Sequence, residues 1–131
     1  MNRPWIYIAS AYTKGDVAIN TRFQMEVFER MMNDGFVWPY APLVSHFQHL
    51  VFPRPYKDWV NYDLAMLPLM DGCLRLTAKY KPLHYTQQES SGADGEVARM
   101  IELGKPVFYS FQDLYDWVRG NKPLFETRRL V

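Results

Sequence analysis

A single cysteine, Cys73, leaves no partner for a disulfide within the chain and no thiolate cluster for zinc, which suits a reducing compartment. Charge of one sign is also missing. Lys+Arg 15 against Asp+Glu 14 gives +1, so no overall field gathers nucleic acid or an anionic membrane, and an anionic ligand must be held locally. No apolar run approaches the roughly 20 residues that span a bilayer, and the stretch from Trp5 to Ala11 has neither the length nor the flanks of a signal peptide. A cytoplasmic protein with no membrane partner is expected. Neither a GxGxxG nor a GxxxxGK(S/T) fingerprint occurs, which argues against a dinucleotide or Walker-type site and, with it, against a nucleotide cofactor. What the chain does have is aromatic content: Trp 4, Tyr 9 and Phe 8 in 131 residues, with 48% hydrophobic residues overall, enough to bury a core without disulfides or metal. Residues 1–131 are expected to form one domain.

The run Trp5-Ile6-Tyr7-Ile8-Ala9-Ser10 is apolar with little alternation, as in a strand buried on both faces. From Asp16 to Asp34, Ile19, Phe23, Val27 and Met31 recur every four residues with Phe28 and Met32 beside them, and Gly35 follows, which predicts an amphipathic helix and its stop. Phe36 to Tyr40 reads as a second strand. The segment Ala41 to Pro55, with three prolines, two histidines and no period, reads as an irregular loop. A helix is expected over Lys57 to Met70, a strand over Gly72 to Leu76, a long polar connection over Thr77 to Glu89, a helix over Ser91 to Leu103, a strand over Pro106 to Tyr109 and a short helix over Phe111 to Arg119. Strands alternating with helices predict an α/β, Rossmann-like (flavodoxin-like) parallel sheet of four to five strands with helices on both faces. Ligands of such sheets lie outside the carboxyl ends of the strands, here near Ser10, Tyr40, Leu76 and Tyr109.

Two carboxylates stand out. At 100° per residue, Trp59, Tyr62, Met66, Leu69 and Met70 share one arc of their helix, extended by Val60, Leu64 and Leu67, and Asp63 projects from its middle. A carboxylate on an apolar face needs a hydrogen-bonding partner, a raised pKa or a cleft to face; the plain alternative is an Asp that caps a neighbouring loop. Glu96 follows the small, hydroxyl-bearing run Ser90-Ser91-Gly92-Ala93-Asp94-Gly95 and points with Met100 and Leu103 toward the sheet. Exposed N–H groups at such a helix start hold phosphate or sugar oxygens, although a first-turn Glu is also an ordinary capping feature. Tyr7, inside a strand, is core or a phenol that orients a carboxylate. His46 and His49, three apart in a Pro-rich loop, suit a surface or capping role better than metal binding, His84 is isolated, and Cys73 reads as a small buried hydrophobe. No metal site is expected.

The segments Ile6-Tyr7-Ile8-Ala9-Ser10-Ala11-Tyr12, Trp59-Val60-Asn61-Tyr62-Asp63-Leu64-Ala65, Ser90-Ser91-Gly92-Ala93-Asp94-Gly95-Glu96 and Gly104-Lys105-Pro106-Val107, in this order and spacing, resemble the nucleoside 2-deoxyribosyltransferase superfamily, which includes nucleoside 5′-monophosphate N-glycosidases. The resemblance implies a Glu96 nucleophile for the anomeric carbon, a Tyr7 that orients it, and an Asp63 that contacts the base and assists its departure by proton transfer. Ser90 stands where enzymes acting on free nucleosides usually carry an Asp for the 5′-hydroxyl and the monophosphate hydrolases carry a Ser. That implies tolerance of a 5′-phosphate, with Gly92 supplying an N–H to it. Ser10, Tyr12 and Thr13 follow the first strand where the substrate would lie, and Tyr12 or Tyr85 is placed to stack on the base. Some of the family's monophosphate hydrolases carry an arginine after the first strand, a region that here holds Thr13 and Lys14, and many small relatives carry Gly-Trp where this chain has His84-Tyr85. The implied activity is hydrolysis of the N-glycosidic bond of a (deoxy)ribonucleoside 5′-monophosphate, with base exchange by a nucleoside 2-deoxyribosyltransferase, or a non-catalytic nucleotide-binding module, as alternatives. The partners implied are a nucleoside or nucleoside monophosphate and further copies of the chain, in a homodimer or higher homo-oligomer with a shared site. Segment 121–125 and the aromatics Phe47, Phe52 and Tyr56 are candidate contacts.

Overall fold

The computed structural model describes residues 3–12, 15–76 and 91–120. Four strands form one parallel sheet: β1 (Trp5–Ala9), β2 (Trp38–Tyr40), β3 (Gly72–Arg75) and β4 (Val107–Phe108), in the order β2-β1-β3-β4. Parallel neighbours need crossovers. These are supplied by α1 (Val17–Asp34) between β1 and β2, by α2 (Ser45–Val51) and α3 (Tyr56–Met66) between β2 and β3, and by α4 (Ser91–Glu102) between β3 and β4; α5 (Phe111–Arg119) follows. This is the expected Rossmann-like, flavodoxin-like arrangement, and its strand order reverses beside β1, where such sheets open a crevice at their carboxyl ends.

Side-chain alternation along β1 divides the interior. Ile6 and Ile8, with Leu74 and Leu76, pack against Phe23, Val27 and Met31 of α1 and against Phe111, Leu114, Tyr115 and Trp117 of α5. Tyr7, Ala9 and Cys73 face the other way, onto Ala93, Val97 and Met100 of α4 and onto Leu67 and Met70. Tyr7 is thereby sent to the face that α4 covers. Helix α1 begins where Asp16 accepts the Ile19 N–H and ends at Gly35, whose φ of 76° and N–H to the Met31 carbonyl make a left-handed cap.

Four expectations need correction. Segment 41–55 is not an irregular loop: it holds a 3-10 turn, Pro42–Val44, and then α2. Pro42 sits at the start of the turn, where its missing N–H is not needed, and Pro53 and Pro55 lie beyond the end of α2. The helix expected to run to Met70 ends at Met66, and a second 3-10 turn, Leu67–Leu69, accommodates Pro68. Its apolar arc is core only in part, with Leu64 and Met66 packed against the cluster from its edge. No residue of α3 is buried and Tyr62 and Leu69 are exposed, whereas Leu67 and Met70, past its end, are buried. On α1, Ile19 and Met32 of the expected stripe are exposed, and the polar Asn20, Thr21 and Gln24 are buried in their stead. Phe47, Phe52 and Tyr56 are exposed. The connection over 77–89, with His84 and Tyr85, lies outside the described residues, as do Thr13, Lys14, Ser90 and residues 121–131.

Candidate active site

Glu96 lies on α4 between Ala93 and Met100, both buried, so the i−3 and i+4 neighbours fix its side of the helix toward the sheet. There the Tyr7 hydroxyl donates a hydrogen bond to Glu96 Oε2. The Tyr7 ring is fully buried and stacks on Tyr40 at 5.6 Å between centroids. The phenol has little freedom. Burial, with the charges of Glu96 and Asp63, drives its pKa far upward, so it remains a donor at every physiological pH.

Burial pushes Glu96 up to about 8 and the Asp63 charge adds to this, while the Tyr7 hydrogen bond and the Arg75 charge act in the opposite direction. Asp63, on α3, is pushed up to about 7 by burial. Its Oδ1 is buried and has no hydrogen-bond partner. An orphaned carboxyl oxygen is destabilising unless a ligand meets it or a proton resides on it. With a proton on Asp63 the repulsion between the two carboxylates is gone, and Tyr7 and Arg75 favour the Glu96 anion against the burial that remains the largest influence on it.

Arg75, which the sequence reading did not single out, ends β3 almost completely buried. Its Nε and Nη2 donate to Asp94 Oδ1 at 3.3 and 3.2 Å and its Nη1 to the Leu76 carbonyl, which ties β3 to the first turn of α4, two residues from Glu96. The signal was present: a charged residue inside the apolar run Gly72 to Leu76 is the same anomaly that marked Asp63.

A cavity of about 480 Å³ opens in front of these groups, a volume suited to a drug-sized or nucleoside-sized ligand. Ser10, Tyr12, Asp63, Gly92 and Glu96 all line it, so the structure brings together five of the residues expected from the sequence, and Tyr7 reaches a sixth position behind Glu96. The opposite wall is aromatic and imidazole-rich, with His46 and His49 from α2 and Tyr56 and Trp59 from α3. Both histidines do more than sit at a surface. The Tyr12 hydroxyl and His46 Nδ1 are 2.6 Å apart, and His49 Nδ1 accepts from Trp59 Nε1 at 2.9 Å and from the Arg54 N–H at 3.2 Å. Two donors on Nδ1 place the His49 proton on Nε2, which is left as a donor. Their i, i+3 spacing puts the two rings on one side of α2, a relation that became legible only once segment 41–55 was helical. Among the described residues no three His, Cys, Asp or Glu side chains gather as a metal site. Cys73 is buried and its thiol is pushed up by that burial, as befits a packing residue.

No family model and no curated protein matches the chain. Among solved structures it is similar to the 2-desoxiribosyltransferase from Leishmania mexicana, at 18% identity and a TM-score of 0.54, over 79% of this chain and 61% of that one. The likeness shows a deoxyribosyltransferase-like fold. No described helix is long and apolar enough to cross a membrane.

Proposed function

We propose that this chain cleaves the N-glycosidic bond of a nucleoside 5′-monophosphate, with water as the final acceptor. The observation that carries the reading is the half-buried Glu96 carboxyl, held by the Tyr7 hydroxyl and facing a nucleoside-sized cavity that Asp63 also lines. Glu96 attacks C1′ as the C1′–N bond breaks, and the proton on Asp63 passes to the departing base nitrogen. The sugar is then esterified to Glu96. Water, surrendering a proton to the Asp63 carboxylate, attacks the same carbon and frees Glu96, so both carboxyls return to their starting states. Gly92, in the first turn of α4, offers its N–H to the phosphate, and the ring of Tyr12 offers a face to the base.

Base exchange is the second reading, favoured by the likeness to the Leishmania mexicana structure, a 2-desoxiribosyltransferase by name. The two separate when the protein is incubated with nucleosides and their 5′-monophosphates, with and without a free acceptor base. Chromatography is expected to show free base and sugar phosphate from monophosphates and no exchanged nucleotide. Exchange products would favour the transferase, and neither product would sink both readings.

Removing the phenol tests the pair from another side. In Tyr7→Phe the donor that favours the Glu96 anion is gone, so the Glu96 pKa moves above about 8 and the ionised fraction at pH 7 falls. At pH 7 kcat/KM is expected to fall roughly tenfold, about one pKa unit of ionisation. Parental kcat/KM at pH 7 would mean that Tyr7 does not govern Glu96.

A further inference from the structure

Gln24 is a polar residue in the middle of α1 with no exposed surface at all. Its amide is fully directed. The Leu43 backbone N–H, which can only donate, lies 2.8 Å from Oε1, and the Ile8 carbonyl, which can only accept, lies 3.2 Å from Nε2. These two backbone groups fix which end of the amide is oxygen and which is nitrogen. The second hydrogen of Nε2 then points to Ser10 Oγ at 2.8 Å. Ser10 must therefore accept from Gln24, and its own hydrogen goes elsewhere. Among the described residues no group accepts it, and Ser10 lines the cavity.

We propose that Gln24 is a positioning residue that fixes the Ser10 hydroxyl as a hydrogen-bond donor into the cavity, where it meets an acceptor oxygen on the sugar or the 5′-phosphate of the substrate. The assignment rests on the nucleotide-cleaving reading of the site. It also gives the buried polar stripe of α1 a purpose: one turn earlier, Asn20 Nδ2 donates to the Tyr12 carbonyl at 3.0 Å, so two amides hold the segment that follows β1. Gln24 reaches across to Leu43 as well, and thus ties the β1 edge of the cavity to the wall that begins at Pro42.

The polarity can be reversed with little change of shape. In Gln24→Glu the carboxylate still accepts from Leu43 but has no hydrogen to give, so the Ser10 hydroxyl turns inward to donate to it and is lost to the ligand. Ser10→Ala and Gln24→Glu are each expected to raise KM about tenfold, one hydrogen bond's worth, with kcat within about threefold of the parent. The double variant should be no worse than Gln24→Glu alone, because both changes remove one donor. Losses that multiply in the double variant, or a Ser10→Ala protein with parental KM, would overturn the proposal, since a Gln24 that merely braces the fold would act independently of Ser10. If the buried carboxylate prevents folding, Gln24→Met takes its place in the same cycle, with the same non-additivity expected. Calorimetric titration of the parent and Ser10→Ala with nucleosides and 5′-monophosphates supplies a readout apart from turnover. Weakening confined to monophosphates assigns the acceptor to phosphate, and equal weakening for both assigns it to the sugar. A parent that binds without cleaving would refute the activity while leaving Ser10 testable by affinity, and a parent that binds none of these ligands would overturn both.

Discussion

Glu96→Gln is expected to lower base release by at least about 10⁴-fold and, at the same time, to make the protein more stable at pH 8. The loss follows from replacing a nucleophile by an amide that cannot form the glycosyl ester, and removal of a nucleophile is among the most damaging single changes to an enzyme. The gain in stability follows from linkage. The folded-state pKa of Glu96 is raised from 4.5 to about 8, so between those values the folded protein holds a proton that the unfolded chain releases. The corresponding stability is present in full below about 4.5 and disappears as pH rises through about 8. Gln carries no such proton and keeps an oxygen to accept from Tyr7. The melting midpoint of the variant should therefore match the parent near pH 5 and exceed it at pH 8, by about 4 °C for each kcal/mol recovered in a chain of this size. Equal midpoints at both pH values would mean that Glu96 is not held at a raised pKa, and turnover within a hundredfold of the parent would mean that it is not the nucleophile.

Asp63→Asn is expected to slow release of natural bases by about 10²- to 10⁴-fold, the range for losing a positioned general acid. Its diagnostic is selective. A nitrophenyl riboside 5′-phosphate, whose leaving group departs without a proton, should be cleaved almost as fast by the variant as by the parent. The parent's rate on natural bases should fall on the basic side of its pH profile, where the proton on Asp63 is lost, and the variant should lack that fall. Equal slowing of both substrates would assign Asp63 to binding instead of proton transfer.

Much of this arrangement is legible in the residues. The apolar run Ile6 to Ala9 specifies a strand buried on both sides, Gly35 stops α1, and the direction shared by Glu96 and Met100 on α4 is a simple matter of helical angle. Other parts are hidden for physical reasons. Helix α2 buries none of its residues, so it leaves no period to find; its histidines face a cavity, and Phe47, Leu50 and Val51 face outward. Asn20 and Gln24 read as breaks in an apolar stripe because their partners, Tyr12, Ser10, Ile8 and Leu43, become neighbours only when β1 and the segment after β2 are in place. Asp63 was legible as an oddity, but the face it occupies turned out to be the rim of a cleft instead of core.

That cleft has two unequal halves. Tyr7, Ser10 and the α4 face that carries Glu96 belong to packing that the sheet cannot do without, whereas α2 and α3, which supply His46, His49, Tyr56 and Trp59, contribute no buried residue. Substitutions in the second half remove little apolar burial, and so lie mostly in the small-effect part of the stability distribution. On the proposed function, drift can therefore reshape which base is accepted while the half that carries Glu96 stays under the constraint of packing. In evolutionary terms the cleft joins a half that is costly to change to a half that is cheap to change, and a new ligand preference would first be written in the second.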